Sequence, residues 1–228
     1  MKTVGRKQKS ARHPWVLCCA QALAMLMPGL AGAAGVPDLT VHVRVYDYAG
    51  VSGGVLRSAE KEANRIFTAA GIEMTWVGCP TTPIRVASRP PQVEEGAAEC
   101  SAPIAGGDIV LRILPRSTPA SQAFGDTMFG FAEGTFVASV FYARVEDLAR
   151  GVYGNQTETP VILGDVIAHE MGHLLLGTNS HSRAGIMCGK WDREYLRLAQ
   201  EGFQTFSAEQ SALMRETVVR RLAASVQP

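Results

Sequence analysis

His169-Glu170-Met171-Gly172-His173 runs into Leu174-Leu175-Leu176-Gly177-Thr178-Asn179-Ser180-His181, and this stretch decides how the whole chain is read. On a helix, residues four apart lie on one face. His169 and His173 therefore point the same way, and two imidazoles so placed can grip one metal ion. Glu170 sits one step round, within reach of a water on that metal. The flanks predict the helix itself. Val161, Ile162, Val166, Ile167 and Ala168 precede the pair, and three leucines follow it. A helix apolar on most sides is buried. Buried His and Glu side chains need partners, and a metal is one. Thr157 or Thr159 offers a cap and Pro160 suits the first turn. Gly177 offers a left-handed stop. The plainer alternative is a helix with two satisfied histidines and a surface glutamate at 170.

Two histidines four apart, with a glutamate after the first, form the zincin motif: zinc binds both imidazoles and the glutamate is the general base. Four histidines lie beyond residue 33 (His42, His169, His173 and His181), and three of them fall within thirteen residues. The stretch resembles the metzincin group of zinc metallopeptidases. Their pattern is HExxHxxGxxH, followed by a tight turn with a methionine beneath the metal. Here the chain reads HEMGHLLLGTNSH and then Ser182-Arg183-Ala184-Gly185-Ile186-Met187, so Met187 resembles the Met-turn residue. Gly177 comes one residue late and His181 two, and Asn179 stands where the family's third histidine would fall. The resemblance is specific over 169–187 and only topological elsewhere. It implies Zn2+ held by His169, His173 and His181, with Glu170 as base and Met187 packed under the ligands. It also implies a peptide or protein substrate, and an edge strand above the metal that pairs with substrate backbone. Gly130, Phe131 and Ala132 are the candidates for that strand.

The third ligand has alternatives. Two extra residues add about 7 Å of extended reach, which a wider loop after Gly177 absorbs. Asn179 is a poor competitor, because a neutral amide binds zinc weakly beside imidazole. In gluzincins the third ligand is a Glu on a later helix; Glu194 lies 21 residues beyond His173, and Asp192 is the aspartate version. A secreted zinc-binding module without catalysis is a further reading. Glu170 argues against it, since a structural zinc site needs no base.

Residues 2–13 hold Lys2, Arg6, Lys7, Lys9 and Arg12 and no acid; an apolar run from Trp15 to Leu30 follows, then Ala31-Gly32-Ala33. That order predicts a signal peptide over 1–33 and a secreted or periplasmic catalytic domain over 34–228. Gln21 and Pro28 and the short apolar run argue against a stable membrane span. Loss of five basic residues leaves 17 basic against 21 acidic, a net charge of about −4. No basic stripe remains for nucleic acid. An exported chain can hold a disulfide. Cys18 and Cys19 leave with the signal. Cys79 and Cys100 bracket a Pro- and Glu-rich segment that reads as a surface loop, so a bridge across it is expected. Cys188 is left over, either as a small buried residue or as a thiolate reaching the metal in an inhibited state.

Elsewhere the periodicities are ordinary. Leu39 to Tyr46 alternate and predict a strand, with His42 on its polar side. Leu56, Ala59, Ala63, Ile66 and Phe67 mark the buried face of a helix over 55–70, which Gly71 ends. Strands follow at 72–77, 108–114 and 136–142, with a Gly- and Phe-rich stretch at 124–134. Residues 143–156 read as a short helical turn and loop, and 192–200 as a helix. Ser207 and Gln210 resemble a capping box opening a last helix. Strand–helix–strand openings give parallel pairs with a right-handed crossover. The fold class is therefore α+β, with a mixed, mainly parallel sheet packed on the active-site helix.

Overall fold

A computed structural model describes residues 39–81, 97–116, 128–153 and 158–225. The expected signal peptide, most of the Pro-rich segment after Cys79, Phe124, Gly125 and Thr157 lie outside them. Five strands are β1 (Thr40–Asp47), β2 (Glu73–Cys79), β3 (Ile109–Leu114), β4 (Gly130–Glu133) and β5 (Val137–Phe141). Six helices among the described residues are α1 (Gly53–Ala69), α2 (Ala97–Ser101), α3 (Tyr142–Tyr153), α4 (Thr159–Leu176), α5 (Arg193–Gln200) and α6 (Ala208–Ser225).

The strands form one sheet in the order β2-β1-β3-β5-β4. The first four positions in that order are joined by parallel pairings, and β4 alone runs antiparallel, against β5. The expected mixed, mainly parallel sheet is therefore present. Alternation sets one face apolar: Val41, Val43 and Val45 on β1, Ile109, Leu111 and Ile113 on β3, Ala138 and Val140 on β5, all buried. This face shares one core with Ala59, Ala63, Ile66 and Phe67 of α1 and with Ile162, Leu163, Val166 and Ile167 of α4. Burying a branched side chain of this kind contributes about 1.5–3 kcal/mol, so the apolar stripe of each element is what holds it on the sheet. His42 points away from this core; it is exposed and lies 2.7 Å from the Thr75 hydroxyl.

Every residue of α4 from Ile162 to Leu175 is buried. The helix that carries the histidines is thus the centre of the molecule. Its start differs from the expected cap. Glu158 occupies the cap position without a side-chain bond, and Pro160 lies in the first turn. Gly177 ends it with φ 66°, its N–H donating to the His173 carbonyl. That left-handed φ suits a residue without Cβ.

Other ends follow sequence chemistry. Ser207 and Gln210 form a reciprocal capping box: the Gln210 side chain accepts from Ser207 N–H (2.9 Å) and Ser207 Oγ from Gln210 N–H (3.2 Å). Asp192 caps α5 through the N–H groups of Glu194 and Tyr195. Residues 142–153 are a full helix instead of the expected short turn. Val145 and Ala149, one turn apart, bury its inner side. Cys79 and Cys100 are joined, with Cα atoms 5.6 Å apart, and Cys188 is free. Cys100 lies on α2, a one-turn helix inside what reads as loop. No helix among the described residues is long and apolar enough to cross a membrane.

Candidate metal centre

Helical spacing aims His169 and His173 at one point. Their Nε2 atoms lie 3.1 Å apart. The Nδ1 atoms face the other way: that of His169 lies 2.8 Å from the Ile186 carbonyl, and that of His173 2.8 Å from the Thr178 carbonyl. A carbonyl oxygen can only accept, so in each neutral ring Nδ1 carries the proton and Nε2 is a bare lone pair. Two bare lone pairs at 3.1 Å repel and cannot bond each other. A cation between them removes the conflict. Two nitrogens about 2.05 Å from a tetrahedral zinc lie about 3.3 Å apart, close to what the rings already show.

His181 completes the arrangement from the loop after Gly177. Its ring centroid is 5.2 Å from that of His169, nearly parallel to it, and 5.1 Å from that of His173. The three rings offer nitrogens that all lie within 4.8 Å of one another, and they form the one such His, Cys, Asp or Glu group among the described residues. Asp192 and Glu194 are engaged elsewhere. Asp192 caps α5 and pairs with Lys190, and Glu194 pairs with Arg197.

Electrostatics keep the pair ready for a metal. Burial, partly offset by the Ile186 carbonyl, pulls the His169 pKa from 6.5 to about 4. Burial also lowers that of His173. Both rings are thus neutral at pH 7, the form that binds metal. Burial pushes Glu170 up to about 8, since a carboxylate loses hydration there. A dication beside it would favour the charged form again. Among the described residues no hydrogen bond or ion pair occupies its carboxyl group. Asp165, one turn before His169, is fully buried, and burial followed by the Glu62 carboxylate holds it well above the usual carboxylate range.

The surrounding elements fit closely. Met187 is fully buried, and a methyl group built on Gly172 would lie 2.7 Å from its sulfur. The sulfur therefore sits against the helix between the two histidines. On β4, a methyl group at Gly130 would meet Glu170 Cγ at 2.7 Å and Cδ at 2.9 Å. The edge strand thus runs directly against Glu170, with Phe131 and Ala132 half-buried beside it. Trp191 stands edge-on to His169 (6.0 Å between centroids), between Phe129 and Tyr195, and its indole N–H donates to the Cys188 carbonyl at 3.0 Å.

Sequence reading placed the histidines, Glu170, Met187 and the edge strand, and the structure brings all of them together. It missed the two carbonyls that orient the rings, because a backbone acceptor leaves no mark in sequence. It also missed Trp191. Gly172 was a usable signal: a glycine inside a helix costs about 1 kcal/mol against alanine, so its presence asks for a packing reason. Met187 supplies one.

No family model matches the chain, and no curated protein matches it. Among solved structures, an archaemetzincin from Methanopyrus kandleri aligns over 82% of this chain and 99% of its own, at 15% identity and a TM-score of 0.46. A zinc-dependent peptidase from Methanocorpusculum labreanum (strain Z) aligns over 75% of this chain and 99% of its own, at 15% identity and a TM-score of 0.50. At that identity, the similarity to the second structure is a shared fold.

Proposed function

We propose that this chain is an exported zinc endopeptidase of metzincin-like type. The observation that carries the reading is the convergence of three imidazole nitrogens, with two lone pairs facing each other at 3.1 Å and Glu170 alongside. The fold shared with a zinc-dependent peptidase supports it. Three protein ligands leave one of zinc's four positions open, so the site fits a catalytic ion better than a structural one. When bound, zinc supplies an acidified water and a Lewis acid for the peptide carbonyl. His169, His173 and His181 hold it through neutral imidazoles. Glu170 accepts the proton of the attacking water and passes it to the leaving amine. β4 is the sheet edge: Phe131 is paired with Ser139 of β5, and the backbone groups of Gly130 and Ala132 on either side of it face outward, where an extended peptide would pair with them, a common mode of recognition at a sheet edge. Met187 packs under the ligands and fixes their geometry.

Residues 1–33 act as a signal peptide, and 34–228 form the catalytic domain, secreted or periplasmic. The Cys79–Cys100 bridge suits that oxidising side. The test is metal analysis of the purified mature protein together with a peptide-library cleavage assay. About one zinc per chain, with cleavage lost on chelation and restored by zinc, is the expected result. Zinc bound without cleavage of any peptide would leave a zinc-binding module and overturn the endopeptidase reading.

A further inference from the structure

We infer that Gly189 is the positioning residue for His181, holding the third imidazole in place by having no side chain. The inference rests on the zinc reading above. His169 and His173 are each aimed by a hydrogen bond from Nδ1 and by burial. His181 has neither. It is exposed, and among the described residues its ring has no hydrogen-bond partner. Two surfaces hold it instead. The His169 ring lies against one side, at 21° to it and 5.2 Å between centroids. The backbone of Gly189 closes another: a methyl group there would sit 2.9 Å from His181 Cγ, 3.1 Å from Nδ1 and 3.2 Å from Cβ.

Those atoms are the root of the side chain, not a flexible tip, so a methyl group would displace the whole ring. No other demand explains the glycine. Residue 189 is exposed, so it is not needed to fill a core. It is not among the glycines with positive φ, so its backbone conformation is open to any residue. The turn that carries it is pinned close by: Ser182 N–H donates to the Met187 carbonyl at 2.8 Å, and Ser182 and Cys188 form an isolated bridge. The backbone behind the ring therefore has little freedom to retreat. A catalytic constellation tolerates displacements of only about 0.5 Å.

The experiment is a double-mutant cycle on zinc affinity, read by competition with a chromophoric chelator. The chains are wild type, Gly189→Ala, His181→Ala and the double variant, and cobalt(II) absorption reports ligand number. Gly189→Ala should weaken zinc about 10–100-fold, as loss of an outer-shell support does, and shift the cobalt bands toward those of His181→Ala. In the His181→Ala background the same substitution should change affinity less than about twofold. Far-UV circular dichroism and melting of the metal-free variants should match wild type. Wild-type affinity in Gly189→Ala overturns the inference, as does an equal loss in both backgrounds, which marks a general disturbance of the turn. If His181→Ala itself binds zinc like wild type, the third-ligand reading fails first and the inference with it.

Discussion

The two helix histidines and the loop histidine reach the same point by different physics. His169 and His173 sit on α4, 6% and 7% exposed, each oriented by a 2.8 Å bond from its ring to a backbone carbonyl. Burial in the core and those two bonds orient both rings. His181 comes from an exposed loop and is held by ring stacking and by the backbone of Gly189. In the proposed zinc site the buried pair would set where the ion goes, and His181 would add the third ligand from an exposed loop, leaving the fourth position open. If this division is right, damage to the helix and damage to the loop have distinguishable consequences.

The largest effect is expected at Glu170, the proposed base. Glu170→Ala should retain about one zinc per chain while kcat/KM on a cleaved peptide falls about a hundred- to ten-thousandfold. Unchanged cleavage by a zinc-loaded preparation would remove Glu170 from the mechanism. Next comes the pair itself. His169→Ala should weaken zinc by more than the roughly 10–100-fold attached to an outer-shell partner. His181→Ala should lose less, because water can enter an exposed position. Chelator competition measures both, and equal losses would erase the contrast between helix and loop.

The pH response sharpens the same contrast. The unfolded chain protonates His169 near 6.5, whereas the folded, metal-free chain does so only near 4, chiefly because the ring is buried. As pH falls through that window the unfolded state binds the proton first, so folding loses stability, by a few kcal/mol at most. Glu170 pushes the other way, so the measurement is a difference. The stability of metal-free wild type minus that of metal-free His169→Asn should fall as pH drops from 6.5 to 4. A flat difference would show that His169 is not held neutral by burial.

The smallest effect on the site is expected from the far edge of the sheet. Cys100→Ser opens a bridge spanning 21 residues at β2, the strand furthest from β4. The loop-entropy account puts the loss at about 3 kcal/mol of stability. Zinc affinity should stay within about twofold. A parallel loss of affinity would mean that the two edges of the sheet are coupled, against the division drawn here.

The sequence made the buried half of this molecule readable and the surface half less so. HExxH spacing, apolar flanks and Gly177 were enough to place α4, because one helical period governs all of them. The strands were legible by alternation, and the Ser207–Gln210 cap by its spacing. The full length of α3 was not legible, because 143–156 reads as a short turn and loop, while Val145 and Ala149 are buried through tertiary packing. The expected threonine cap of α4 failed because Glu158 takes that position and a proline-led first turn leaves fewer N–H groups to satisfy. His181 was placed through loop length and ligand chemistry. Its support by Gly189 depends on a contact across eight residues that no periodicity encodes.

Zinc K-edge X-ray absorption of the loaded protein tests the central claim most directly. Fitting should return three imidazole nitrogens at about 2.0–2.1 Å plus one light atom, falling to two imidazoles in His181→Ala and unchanged in Asp192→Ala and Glu194→Ala. Two imidazoles and a carboxylate in wild type, with the spectrum altered by Glu194→Ala or Asp192→Ala and not by His181→Ala, would contradict it.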